Sequence, residues 1–335
     1  MRRLATVVLT TLCLASLAGQ AAAEVNRIRT GRGPGFSFLP MYILENQQLL
    51  QKHARERGLG DITVEFGEYT SGAVMNDALL AGTMELATGG VPPYLILWSR
   101  AFGTNREVRA LTAVSANPSY LNTRNPNVRS IRDFTANDRI SVAAVRASQV
   151  AILLQMAAEQ AFGPGEFGRL DALTVSMPQP ESVAAMLADR SEITAHFTVA
   201  PFHQAEIRDP RIRTILRSTD VLGGIGTVVV AYTTARFREQ NPRMTAAMFS
   251  ALVEAGEFIH RDPRRAAEIY HSMSRDRMSV DELAQLLQDP DYSYRPAPRR
   301  TLRFAQFMHR AGAIPRAPER WQDLFFPEAH GLDGN

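Results

Sequence analysis

Short apolar segments alternate along this chain with longer segments whose apolar residues recur every three or four positions. Short segments rich in β-branched residues are typical of buried strands, whereas a spacing of three or four residues is that of one helix face. The alternation predicts an α/β fold. In the first part of the chain it predicts strands at Val25 to Thr30, Asp61 to Phe66, Glu85 to Thr88 and Val108 to Ser115, helices at Phe38 to Gln51, Ser71 to Leu80 and Pro92 to Trp98, and a tight turn at Gly89-Gly90.

The pattern restarts after Asn117-Pro118, which indicates a second compact unit. Its predicted elements are strands near Tyr120 and at Ile140 to Val145, Ala172 to Val175, Ile193 to His196 and Arg213 to Leu216, with helices from Gln149, Pro180 to Ala188 and Pro201 to Ile207. The glycine-rich segment Val221 to Gly226 suits a crossing back to the first unit. It is followed by a predicted strand at Thr227 to Tyr232, helices near Pro242 to His260, Pro263 to Met273, Val280 to Leu287 and Thr301 to Ala311, and an irregular tail from Pro315.

The order of elements predicts lobe I from residues 24–116 and 222–335 and lobe II from residues 117–221, hinged near 115–118 and 218–226. A cleft between two such lobes is a favoured ligand site, because strand ends and helix N-termini converge there. Loops that follow a predicted strand and precede a helix supply the expected ligand-binding residues. They are Gly35, Phe36, Ser37, Thr70, Ser71, Gly72, Gly90, Val91, Asn117, Arg146, Ala147, Ser148, Gln149, Thr198 and Gly224.

The loop before Gln149 is the most informative of these. It joins the strand that begins at Ile140 to a helix that stops at Gly163. Such a helix start leaves unpaired N–H groups and the positive end of the helix dipole at one spot, which favours an anion or a ligand oxygen. Ser148 either belongs to an anion site or only caps its helix. Arg146 either points into the cleft as an anion partner or lies on the surface as a solvated charge.

The N-terminus has the pattern of a secretory signal peptide. Arg2 and Arg3 precede an uncharged, mostly apolar run from Leu4 to Ala18, and Ala21 and Ala23 form a small-residue cleavage pattern before Glu24. Residues 1–23 are therefore expected to be removed on export, which places the mature protein in the periplasm. Removal takes away Cys13, the only cysteine, and so excludes disulfides, thiolate nucleophiles and cysteine metal sites from the mature chain.

Charge and motifs exclude several further classes of protein. Without the two arginines of the signal peptide, 35 basic residues face 34 acidic ones, a balance that argues against nucleic-acid binding. Gly31, Gly33 and Gly35 lack the spacing of a dinucleotide loop, and no phosphate-binding loop, H-E-x-x-H pair or G-x-S-x-G elbow is present. The histidines are dispersed. We expect neither a cofactor nor a metal, although His196 and His203 could in principle meet at the cleft.

The sequence resembles the NMT1-like family, the periplasmic solute-binding proteins of nitrate, sulfonate and taurine ABC importers, which share their fold with pyrimidine-precursor binding and biosynthesis proteins. The resemblance covers about residues 25–270. It is carried by Phe38-Leu39-Pro40-Met41-Tyr42, Glu68-Tyr69-Thr70-Ser71-Gly72, Ala81 to Ala87, Gly89-Gly90-Val91-Pro92, the segment from Val142 to Ser148, and Ala195 to Phe202.

The resemblance implies a type II periplasmic binding protein fold, with two lobes that close on a small molecule without chemical change. It implies a small-molecule ligand, an ABC permease as partner, and a monomer. Lysine and glycine are frequent in the family where Arg146 and Ala147 stand here. Since the cleft loops offer hydroxyls, amides and one candidate arginine, an organic anion is the expected ligand. An enzyme of the pyrimidine-precursor type and a sensor that reports to a membrane kinase are the alternatives. The resemblance implies that such an enzyme needs a cysteine-rich segment, which the mature chain lacks.

Overall fold

The computed structural model describes residues 23–274 and 276–335. The predicted signal peptide lies outside these residues except for Ala23. The strands, in chain order, are β1 Arg27–Arg32, β2 Thr63–Glu68, β3 Ala87–Gly90, β4 Val108–Ala116, β5 Ser119–Thr123, β6 Ile140–Val142, β7 Thr174–Ser176, β8 Ala195–Val199, β9 Arg213–Arg217 and β10 Thr227–Thr234. They form two separate groups in space.

The first group of strands defines lobe I. In it, β10 lies between β3 and β4 and pairs antiparallel with both, while β1 and β2 pair parallel. A parallel bridge between Thr30 and Leu86 joins the β1–β2 pair to the start of β3. Consequently a strand from residue 227 onward completes a sheet whose other strands all precede residue 117.

The second group defines lobe II and is a single sheet in the order β7-β6-β8-β5-β9. Strands β6, β7 and β8 are parallel to one another, and β5 runs antiparallel to both β8 and β9. Parallel strands place their carboxyl ends at one edge of the sheet, which is where the loops before the next helices emerge. This edge faces lobe I.

Helices cover both sheets. They are α1 Leu39–Asn46, α2 Leu49–Glu56, α3 Gly72–Leu80, α4 Val91–Ala101, α5 Gln149–Phe162, α6 Gln179–Leu187, α7 Phe202–Ile207, α8 Ser218–Leu222, α9 Ala235–Gln240, α10 Pro242–Arg261, α11 Pro263–Ser274, α12 Val280–Leu286 and α13 Thr301–Arg310. One apolar core packs α10 to α12 with α1 and α2 against lobe I, and a second runs from α4 through α5 to α13 across the lobe boundary. Within the described residues, no helix combines the length and apolar composition that a membrane crossing requires.

The two crossings between the lobes lie side by side. Ala116, at the end of β4, is opposite Thr227, at the start of β10. Just beyond, the N–H of Ser119 donates a hydrogen bond of 2.8 Å to Oγ of Ser218. Adjacent crossings are the geometry that lets two lobes rotate about one hinge.

Two local predictions were wrong. The helix predicted from Phe38 to Gln51 is broken, because Gln48 adopts a left-handed conformation with φ of 50° between α1 and α2. Gly89-Gly90 is not a turn but the end of β3, where the pair aligns with Val230 and Val229 of β10. Pairing with a strand far away in sequence overrides the local turn preference of two glycines.

The tail after Pro315 forms an irregular strap with two short 3₁₀ turns, Trp321–Leu324 and Pro327–Ala329. Leu324 and Phe325 are fully buried, and Phe326 N–H donates to the carbonyl of Ala110 on β4 at 2.8 Å. The strap thus belongs to the core of lobe I.

Candidate functional site

A cavity of 160 Å³ lies between the lobes, at the edge where the loops of both sheets meet. Lobe I lines it with Gly33, Pro34, Phe38, Tyr69, Thr70, Ser71, Gly72, Ala73, Met75, Gly90 and Pro93, and lobe II with Ala143, Ala144, Ala147, Ser148, Gln149, Val150, Gln179 and Val199. Among these residues no side chain is charged. The wall is mainly apolar, with four hydroxyls, those of Tyr69, Thr70, Ser71 and Ser148, and two glutamine amides.

Four helices begin at this cavity. Gly72 starts α3, Gln149 starts α5 and Gln179 starts α6, while Gly90 immediately precedes α4. Each helix N-terminus carries roughly half a positive charge from the aligned peptide dipoles. The helix starts therefore contribute positive charge at the cavity from backbone rather than from arginine or lysine.

Ser148 shapes the start of α5. Its Oγ donates to the carbonyl of Ala144 at 2.8 Å and accepts the N–H of Ala151, and its own N–H also donates to Ala144, at 3.0 Å. Ser148 is thus a helix cap whose hydrogen bonds are made within the chain. Among the described residues, the N–H groups of Gln149 and Val150, the next two along the chain, have no protein partner.

Asn76 holds the starts of α3 and α4 together. Its Nδ2 donates to the carbonyl of Pro93 at 3.0 Å, and its Oδ1 accepts from the hydroxyl of Tyr232 on β10 at 2.5 Å. Burial raises the pKa of the Tyr232 hydroxyl, which therefore stays a donor. A Cβ added at Gly72 would lie 3.1 Å from Pro93 Cγ, so glycine is what lets the two helix starts approach this closely.

Gln179 is positioned by a buried hydroxyl. Thr198, on β8, donates from Oγ1 to Oε1 of Gln179 at 2.8 Å, which leaves the amide nitrogen for the cavity. The helix behind it is anchored to β6 through Ser182, whose Oγ lies 2.6 Å from Oγ of Ser141. Thr198 is expected from sequence to bind ligand directly; the structure places it one layer behind Gln179.

Two aromatic rings form the lobe I wall. A Cβ at Gly31 would overlap the ring of Tyr69, and one at Gly33 would lie 2.7 Å from the ring of Phe38. These glycines, whose spacing already argues against a dinucleotide loop, make room for aromatic side chains instead. The rings offer flat apolar surface to the organic part of a ligand.

Several predicted binding residues lie outside the lining because they hold the lobes together or fill the core. Ser37 and Asn117 are buried and hydrogen-bonded to each other at 3.2 Å, and Phe36 packs edge-on against Tyr270 with a centroid distance of 4.7 Å. Val91 is fully buried in the core. Gly35 has φ of 96° and abuts the carbonyl of Ala200 on the other lobe, a position where a side chain would be strained.

Arg146 and Gly224 also lie outside the lining. Arg146 has φ of 56°, which turns its side chain outward, where Nε donates to Oδ2 of Asp171 at 2.8 Å and 70% of the side chain is exposed. Of its two sequence-based interpretations, the structure favours the surface charge. Gly224 packs against the guanidinium of Arg300 on a different face of the protein.

Several lining residues that the sequence analysis does not name also lie in, or next to, a loop between a strand and the following helix. Gln179 stands after β7 and at the start of α6, so the strand-to-helix position would have identified it. Phe38, Tyr69 and Pro93 are neighbours of predicted loop residues. Ala143 and Ala144 lie beyond the end of β6, which stops at Val142 and not at Val145 as the pattern predicts.

The histidines considered as metal ligands belong to the core of lobe II. His196 Nδ1 donates to Oε1 of Glu206 at 2.5 Å, and His203 stacks on Tyr120 with ring centroids 3.7 Å apart. Burial, with the nearby Arg217 cation, lowers the pKa of His203 to about 4. Within the described residues, no group of three or more His, Cys, Asp or Glu side chains could hold a metal ion.

Several solved structures have a fold similar to that of this chain. The alkanesulfonate-binding protein SsuA from Xanthomonas axonopodis pv. citri, bound to MOPS, is 15% identical with a TM-score of 0.68 over 88% of this chain and 96% of its own. The aliphatic sulphonate binding protein SsuA from Escherichia coli is 15% identical, with a TM-score of 0.66 over 93% and 95%. The nitrate-binding protein NrtA from Synechocystis PCC 6803 is 15% identical, with a TM-score of 0.69 over 87% and 83%.

At this identity the likeness shows the fold, which is the two-lobe periplasmic binding protein fold of type II predicted from sequence. No curated protein sequence matches the chain. The model of the NMT1-like family matches residues 21–274, which is more than half of the chain. The expected family is thereby confirmed: this chain belongs to the NMT1-like family.

Proposed function

We propose that this protein is the extracytoplasmic solute-binding component of an ABC importer. It captures a small organic anion by closure of its lobes and delivers it to a membrane permease. The observation that carries the proposal is the cavity between the lobes, where four helix N-termini meet without a charged side chain. The names of the structural neighbours, sulfonate- and nitrate-binding proteins, support an anionic ligand.

The cavity suits a ligand with two dissimilar ends. Backbone N–H groups at helix starts bind anions readily, and the free N–H groups of Gln149 and Val150 point to such a contact. Phe38, Tyr69 and Met75 would contact an apolar body. A cavity of about 150 Å³ accepts a molecule the size of benzene, so 160 Å³ suits a short-chain sulfonate or a small aromatic carboxylate.

Lobe I is proposed to comprise residues 24–116 and 222–335, and lobe II residues 117–221, because the sheets separate at these points and the crossings meet there. Several hydrogen bonds join the two proposed lobes, and two of them involve residues at or beside the cavity. Phe36 N–H donates to the carbonyl of Ala200 at 3.1 Å, and Gln149 Nε2 donates to the carbonyl of Thr227 at 3.2 Å. They support a closed arrangement of the lobes.

A thermal-shift screen of residues 24–335 tests the ligand class. The panel comprises nitrate, alkane sulfonates, aryl sulfonates, benzoates and a neutral pyrimidine. We expect a small organic anion to raise the melting temperature and to bind one per chain, as a monomer, in calorimetry. Stabilisation by the pyrimidine alone would contradict the anion assignment.

A cavity-filling variant tests the location. Ala147→Phe places a ring in the lining, and is expected to weaken binding of the best anion by at least about 30-fold while leaving the fold intact. Ala136→Phe, at an exposed loop position outside the lining, is the matched control. Equal affinity in both variants would locate the ligand elsewhere. Delivery to a permease is tested separately, by whether neighbouring genes encode a permease and ATPase rather than a kinase.

A further inference from the structure

The side-chain amide of Gln149 has only one chemically sensible orientation. Its Nε2 lies 3.2 Å from the carbonyl oxygen of Thr227, across the cleft. A carbonyl oxygen accepts hydrogen bonds and cannot donate them, so the amide nitrogen must face it. The amide oxygen, Oε1, therefore points the other way.

That oxygen is buried and has no hydrogen-bond partner among the described residues. It lies 3.8 Å from the position that a Cβ on Gly90 would take, between the starts of α4 and α5. Both Gln149 and Gly90 line the cavity. A buried acceptor without a partner destabilises a protein, and a partner is expected from whatever fills the space beside it.

We propose that Gln149 determines ligand specificity by accepting a hydrogen bond from the ligand through Oε1. The ligand class is then narrower than an organic anion: it is an organic anion that also carries a hydroxyl or amino donor a few bonds from its charged group. This inference rests on the proposed function. The anionic group meets the helix N–H groups, and the donor meets Gln149.

The second glutamine of the cavity supports this division of roles. Because Oε1 of Gln179 accepts the hydroxyl of Thr198, its amide nitrogen is available to an acceptor on the ligand. One glutamine thus presents an acceptor and the other a donor. A ligand with both kinds of group satisfies both amides, whereas a purely apolar tail leaves Oε1 of Gln149 unpaired.

Gln149 also lies at the boundary between the lobes. It belongs to lobe II, and Thr227, which accepts from its amide, belongs to lobe I. Thr227 lies at the crossing between the lobes, opposite Ala116, so this hydrogen bond holds the amide of Gln149 in place beside the proposed hinge.

Isosteric ligand pairs test the inference by calorimetry on residues 24–335. The first pair is 2-hydroxyethanesulfonate and 1-propanesulfonate, and the second is 3-hydroxybenzoate and 3-methylbenzoate. Each pair differs by a hydroxyl in place of a methyl group. In the wild-type protein, we expect the hydroxyl member of the pair that fits the cavity to bind about 10-fold more tightly.

The preference should disappear in Gln149→Met, which keeps the length of the side chain and removes its amide. Gln160→Met is the matched control, since Gln160 lies on the same helix and its amide donates to the carbonyl of Val221 at 2.9 Å, outside the cavity lining. The readout is the ratio of two affinities measured on the same variant. Because a partial loss of folded protein affects both affinities equally, it does not change this ratio.

Equal binding of both members by the wild type, or an undiminished preference in Gln149→Met, overturns the role of Gln149 and leaves the proposed function standing. Failure of both pairs to bind while a donor-free anion from the wider screen binds has the same meaning. If no organic anion binds at all, the proposed ligand class falls, and this inference falls with it.

Discussion

The buried carboxyl group of Glu206 provides the sharpest test of the packing of lobe II. Glu206, His196 and Asn122 are all fully buried. Oε1 of Glu206 accepts from Nδ1 of His196 at 2.5 Å, and Oε2 accepts from Nδ2 of Asn122 at 2.8 Å. The cluster joins α7 to β5 and to β8, the strand that carries Thr198. Loss of this cluster should weaken lobe II without changing the cavity lining.

In Glu206→Leu, the N–H of His196 and one N–H of Asn122 lose their acceptor and stay buried. The second N–H of Asn122 keeps Nδ1 of His203 as its acceptor at 3.2 Å. Each unpaired buried donor costs about 1–3 kcal/mol, and two donors are affected. We therefore expect the free energy of unfolding to fall by about 4 kcal/mol, a large share of the roughly 5–15 kcal/mol available to a protein. The double variant His196→Leu with Glu206→Leu should lose at least about 1 kcal/mol less than the sum of the single variants, because its histidine donor is gone.

Urea denaturation at pH 7, followed by circular dichroism, measures these losses. If the lobes unfold in separate transitions, the loss should fall on one of them only. Glu239→Leu, at an exposed position of α9, is the control and should change stability by less than about 0.5 kcal/mol. A loss below about 1 kcal/mol in Glu206→Leu, or strict additivity in the double variant, would refute the reasoning.

Three further outcomes are expected. The pKa of His203 falls from 6.5 to about 4 on folding, so the unfolded chain binds the proton first and the free energy of unfolding decreases as pH falls from about 6.5 towards 4. Between pH 7 and pH 5 this decrease is about 2 kcal/mol. Urea titrations of His203→Phe at the two pH values should lack it. Arg208→Ala breaks a half-exposed ion pair with Glu282 across the lobes and should lower the unfolding free energy by less than about 1 kcal/mol in the same assay. Phe325→Ala empties a fully buried position of the C-terminal strap and should cost about 3–5 kcal/mol, seen as a lower melting temperature.

The sequence was sufficient for the order of strands and helices because each follows from a local period. Two breaks in the pattern, near Asn117 and Gly223, also lie where the chain crosses between the sheets, and their role as a hinge stays a prediction. The sequence was insufficient where a distant partner decides the conformation. Gly89 and Gly90 have the local chemistry of a turn, and only the arrival of β10 makes them part of a strand.

The part of the candidate site that is formed by backbone at helix starts could be predicted from the sequence. Helix starts at Gly72 and Gln149 can be located from strand-to-helix transitions, and both line the cavity. Side-chain direction was not predictable. The left-handed backbone of Arg146, which sends its guanidinium to Asp171, has no signal in the residue itself. Gln179 depends on Thr198, a contact between residues nineteen positions apart.

The central place of β10 in lobe I has a consequence for the order in which the protein acquires its shape. A chain that emerges from its N-terminus presents β3 and β4 long before the strand that must lie between them. The sheet of lobe II runs uninterrupted from β5 to β9 and needs no strand from later in the chain. Lobe II can therefore fold first, whereas the sheet of lobe I stays incomplete until synthesis has passed residue 234, the end of β10.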